Sequence, residues 1–85
     1  MTRPKVVNWV LSPHALKRVQ ERRISADELA EVIQSPDITV PQGPKWIFAK
    51  AISGRSDNKI AAVLLEKKEQ GLWVVLTVMV QFVEN

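Results

Sequence analysis

His14, Arg18 and Arg22 stand four and four apart within Ser12-Pro-His-Ala-Leu-Lys-Arg-Val-Gln-Glu-Arg-Arg-Ile-Ser25, and His14 is the only histidine in the chain. On a helix that spacing puts the three in one slanted row. An imidazole can move a proton and guanidiniums can hold phosphate oxygens, so the row has the parts needed to act on a phosphodiester. The plainer reading is a helix-start histidine beside a solvated face on which Lys17 and Arg18 pair with Glu21, each pair worth ~0.2–0.5 kcal/mol.

The flanking residues define the elements that carry the row. Ser12 suits an N-cap and Pro13 the first helical position, which needs no N–H, so a helix is expected from 13 to 22 or 23. Its apolar face is Ala15, Leu16 and Val19. Ser25 and Glu28 have the spacing of a capping box, and Ile24 can staple onto Leu29, which makes a tight corner between two helices. The second helix, 26 to about 34, presents Ala26, Leu29, Ala30 and Ile33 with Val32 beside them. Asp27 and Glu28 suit its positive end, and Ser35-Pro36 ends it.

After residue 37 the signals are those of strands. Residues 38–40 form a brief candidate closed by Pro41-Gln-Gly-Pro44; residues 45–53, 59–67 and 72–83 follow, separated by a hairpin loop at 54–58 and a turn at 69–71. Loops this short demand antiparallel neighbours. Residues 6–11 read as a short strand or an extended lead-in. The expected fold class is α+β, with two N-terminal helices packed on one face of a three- to four-stranded antiparallel β-meander and an optional short N-terminal strand. In the last strand, alternation puts Leu72, Val74, Leu76, Val78, Val80 and Phe82 toward the helices. Trp73, Val75, Thr77, Met79 and Gln81 fall on the other face, where Thr77 is a candidate hydrogen-bond donor.

Eighty-five residues allow one domain, spanning 1–85, with one modest core. An apolar content of 46% and a charged content of 25% fit an ordinary soluble globular domain. The absence of cysteine excludes disulfides and thiolate metal sites, and a lone histidine argues against zinc, so neither a metal nor a cofactor is expected. The first residues lack the pattern of a secretory signal, and the apolar run 72–80 is too short to span a bilayer; the expected location is cytoplasmic, with no membrane partner. Through residue 23, six basic residues face Glu21 alone, +5, whereas from Ile24 on six basic residues face eight acidic ones, −2. Positive charge gathered at the first helix favours a polyanion. Trp9, Trp46 and Trp73 could stack on bases, although core or dimer-interface packing is the commoner use of so much apolar area.

The run His-x-x-x-Arg-x-x-Glu-Arg-x-Ile-Ser at 14–25, followed by an acidic amphipathic helix and a meander ending in Val-x-Thr, resembles a bacterial domain family of unknown function. That family is grouped with the barnase, EndoU, colicin and RelE-like ribonuclease-toxin superfamily. The resemblance implies that His14, Arg18 and Arg22 are site residues on the first helix, with Thr77 matching the family's terminal-strand threonine. It also implies metal-independent action on RNA, the imidazole taking a 2′-hydroxyl proton while the guanidiniums stabilise the crowded phosphate charge. Arg23 stands where the family generally has glycine, and the chain has no tyrosine.

The functional expectation is a small, toxin-like RNA-binding domain, with tRNA or ribosome-associated RNA as its partner and RNA cleavage through His14, Arg18, Arg22 and Thr77 as its activity. The alternative is a non-catalytic protein-interaction module on the same scaffold, either a homodimer or the partner of a cognate antitoxin.

Overall fold

Both helices begin where their caps place them. In the computed structural model, which describes residues 4–52 and 59–80, α1 spans Pro13–Glu21 and α2 spans Ala26–Gln34. The Ser12 hydroxyl accepts from the Ala15 N–H at 3.0 Å. At Ser25 both halves of the capping box are made: the Ser25 N–H donates to Glu28 Oε1 at 2.9 Å and the Glu28 N–H to Ser25 Oγ at 3.1 Å. Each cap satisfies N–H groups that the helix itself leaves unpaired.

Between the helices the chain turns through a Schellman motif. The Ile24 N–H donates to the Val19 carbonyl at 3.0 Å and the Arg23 N–H to the Gln20 carbonyl at 3.3 Å. Arg23 adopts a φ of +53° to close it. Ile24 and Leu29, the expected staple, are both buried in the main core. The helix faces are narrower than their sequence patterns suggest. Ala15 is buried and Val19 packs against the core, but Leu16 is 47% exposed and Ala26 is exposed. Leu29, Val32 and Ile33 carry the burial on α2.

Strands β1 (Trp9–Leu11), β2 (Ile38–Gln42), β3 (Lys45–Ala51), β4 (Lys59–Lys67) and β5 (Leu72–Val80) form one sheet in the order β1-β5-β4-β3-β2. The fold is therefore α+β, with a four-strand antiparallel meander and the optional first strand present. β1 lies parallel to β5, pairing Trp9 with Trp73 and Leu11 with Val75. β2 continues through Pro41 to Gln42, so the turn shrinks to Gly43-Pro44. Gly43 takes φ +61°, the left-handed conformation that the first central residue of a primed hairpin turn needs. Pro41 is tolerated because β2 is an edge strand. A single turn of 3-10 helix, Lys68–Gln70, joins β4 to β5. The expected loop at 54–58 and the strand continuation through 81–83, Phe82 included, lie outside the described residues.

The face expected for β5 is half corrected. Leu64 pairs with Val75 but Val63 pairs with Thr77, so Leu76 is an extra residue, a β-bulge. The bulge switches the alternation. Trp73 and Val75, assigned to the far face, point at the helices and are buried; beyond the bulge Val78 and Val80 take over as expected. α1 packs on β5 and β1, and α2 on β3 and β4. The core between helices and sheet is built around Phe48, Leu29, Ile33, Ile60 and Leu64. Trp73 belongs to it, and Trp9 and Trp46 pack at its margin. The other sheet face has its own small cluster of Ile47, Ala49 and Ala61, flanked by Ile38, Val40 and Val63, with no helix residue in it.

Candidate functional site

Ser12 is where the site is anchored. Besides capping α1, its hydroxyl donates to the Leu76 carbonyl at 3.0 Å, and its N–H donates to the Val75 carbonyl at 3.0 Å. One residue thus ends β1, starts α1 and holds that start against the bulge. The β1 pairing stops at Val75, so from Thr77 to Val80 no strand borders the outer edge of β5 among the described residues.

Alongside that edge lies a groove of about 430 Å³ lined by Arg18, Arg22, Thr77, Val78, Met79 and Val80. Three of the four expected site residues therefore line one concavity: Arg18 on α1, Arg22 at its C-cap and Thr77 on β5. His14 is exposed at the second helical position and is not among the lining residues. It stands one turn from Arg18, about 6 Å along the axis, and two turns from Arg22. Arg18 is thus the groove arginine nearer the imidazole. Arg18 is 3.7 Å from Glu21 across one turn. Both partners are substantially exposed, so the carboxylate is a weak competitor for a phosphate.

A somewhat larger concavity, about 490 Å³, lies at the β4–β5 connection and is lined by Glu66, Lys67, Lys68, Glu69 and Gln70. Its charges alternate in sign on a solvated turn. We favour the smaller groove as the site because two cations and a hydroxyl-bearing strand residue converge there. Sequence reasoning missed Ser12 as the link to Leu76; a serine already explained as a cap gives no sign of a partner 64 residues away.

At the opposite side of the sheet, Asp37 accepts from the Ala51 N–H at 3.1 Å, and Lys50 Nζ lies 3.6 Å from its carboxylate. The Ala51 hydrogen bond above all, then the Lys50 charge, hold the Asp37 carboxyl below its ordinary range. Lys50 also donates to the Ser35 carbonyl at 2.9 Å, at the end of α2. This corner is structural, tying α2 to the sheet.

The family model described as "Domain of unknown function (DUF4258)" matches residues 11–80. The chain belongs to that family. The matched span contains α1, the helix corner, the bulge and every residue of the groove. No curated protein and no solved structure matches. Among the described residues of this DUF4258 domain, no group of three or more His, Cys, Asp or Glu is placed to hold a metal ion, and no helix is long and apolar enough to cross a membrane.

Proposed function

We propose that this DUF4258 domain binds RNA along the α1–β5 groove and cleaves it without a metal ion. The observation that carries the reading is the convergence of Arg18, Arg22 and Thr77 on one groove beside the basic N-terminal part of the chain. The resemblance to the ribonuclease-toxin superfamily supports it. Arg18 and Arg22 would clamp consecutive phosphates, and Thr77, whose side chain shares the helix-free face with Val63, would reach them around the open edge of β5. His14 takes the proton of a 2′-hydroxyl as its oxygen attacks the adjacent phosphorus. The bond to the 5′ oxygen breaks, a 2′,3′-cyclic phosphate forms, and the proton passes to the departing oxygen. The two guanidiniums meet the added charge at phosphorus.

Incubation with bulk tRNA and with ribosomes in EDTA is the test. Cleavage by the wild type that is lost in His14→Ala is expected. Absence of cleavage, or equal cleavage by His14→Ala, would leave no catalytic role. RNA affinity insensitive to both Arg18→Ala and Arg22→Ala would remove the binding role as well.

A second reading, a non-catalytic interaction module that is a homodimer or the partner of a cognate antitoxin, is favoured by the exposed apolar side chains Val7, Val10, Leu16 and Met79. A strictly monomeric mass at micromolar concentration counts against its homodimer form.

A further inference from the structure

Both helices pack on one side of the sheet, and the cluster on the other side contains no helix residue. Strand register identifies what that second face presents. Val10, Val74 and Leu65 lead inward from the β1 edge to Lys45, and Thr77, Val63, Ile47 and Val40 form the neighbouring row from β5 to the β2 edge. Met79 and Val10 are 37% and 47% exposed. A sheet apolar on both sides is ordinarily covered on both.

The charges on the face are of one sign. By register it carries Lys45, Lys59 and Lys67, and no carboxylate among the described residues. At its margins, Asp37 is engaged by the Ala51 N–H and Lys50, and Glu66 and Glu69 lie with Lys67 and Lys68 on the turn between β4 and β5. A second copy would bring these lysines against one another with no acid on the face itself, which disfavours self-association through it. Lys59 and Lys67 bracket the face along β4, about 26 Å apart, the length of a helix of about five turns.

We propose that the helix-free face of the sheet docks an amphipathic helix of a partner protein, about five turns long, with an apolar stripe against Val63, Val74 and Met79 and carboxylates near both ends against Lys45, Lys59 and Lys67. The inference rests on the interaction reading; its face meets the RNA groove at Met79, whereas Lys45, Lys59 and Lys67 lie outside it. It gives that reading a surface and the chemical character of its partner.

The test is selection of the intact protein against a displayed library of helices of that length, with a constant Leu/Ile stripe and flanking positions randomised among Glu, Lys and Gln. Selected helices are expected to carry Glu near both ends and to bind more weakly as salt rises. Their affinity is expected to fall at least about tenfold against Lys45→Glu/Lys59→Glu/Lys67→Glu and against Met79→Asp, with melting temperatures confirming that both variants fold. Selected helices that are neutral or basic, or that bind both variants as well as the wild type, overturn the proposal and leave the interaction reading to another surface. A concentration-dependent dimer abolished by Met79→Asp also overturns it, because a second copy then covers the face. A monomer that selects no helix removes this proposal and leaves the interaction reading without a surface here.

Discussion

Arg23 holds a φ of +53° so that Ile24 can reach back to Val19. An L side chain in that conformation crowds its own carbonyl, at a cost of roughly 1 kcal/mol, which glycine avoids. Arg23→Gly is accordingly expected to raise stability by about 0.5–1 kcal/mol, read as a higher urea midpoint with an unchanged slope. A lower midpoint would mean that contacts of the arginine side chain outweigh the strain. Asp37 gives a prediction in pH. Its carboxyl is held below the usual range in the folded state, so the unfolded chain binds its proton more readily. The resulting stabilisation is complete above about pH 4 and is lost as pH falls through the lower folded value. Asp37→Asn should flatten the acid limb of a stability-versus-pH curve, and an unchanged limb would contradict the assignment. The candidate residues His14, Arg18 and Arg22 were legible because spacing within one helix is local information. That His14 stays outside the groove was not, because which part of a helix faces a cleft depends on the strand beside it.

At the scale of elements, the helix boundaries follow from Ser12, Ser25 and Ser35-Pro36, all of which act through neighbours a few residues away. The bulge at Leu76 has no such signature. Nothing in Val-Leu-Thr-Val announces it, and the alternation read from that run put Trp73 and Val75 on the wrong face. The bulge exists because β5 must pair with β4 along its length, align with β1 only as far as Val75, and then offer its Leu76 carbonyl to Ser12. Ser12→Ala removes a cap and strands that carbonyl, so a loss of about 1–2 kcal/mol is expected in chemical denaturation. A loss under a few tenths would show that the bulge does not depend on the serine. Deleting Leu76 takes out the extra residue and leaves the register on both sides of it, so Trp73, Val75, Val78 and Val80 still face the helices while the carbonyl that Ser12 holds is lost. Cooperative unfolding is expected to persist with a loss of about 1–3 kcal/mol, measured by thermal melts; a non-cooperative melt would show that the bulge itself is needed to seat β5.

For the whole molecule, one face of the sheet belongs to the helices and one edge of β5 belongs to the groove. If the groove holds a single-stranded RNA backbone, Arg18→Ala and Arg22→Ala should each lower the slope of log affinity against log salt by about 0.7. Equal slopes in wild type and variants would place the RNA elsewhere. The charge asymmetry of the chain is a property of composition and was visible at once; the convergence of Thr77 with the two arginines was not. Composition, capping and periodicity by themselves determined that this is an α+β chain and where its two helices start and stop, and they nominated His14, Arg18 and Arg22 as candidates, because each depends on chemistry within a turn or two of the backbone. Tertiary structure alone decided that β1 lies parallel to β5, that a bulge reverses half of β5, that Thr77 lines a groove with Arg18 and Arg22 while His14 does not, and that the cluster on the second sheet face has no helix residue in it. Those outcomes follow from pairings between residues far apart in sequence, whose register is set by how all the strands and both helices fit together.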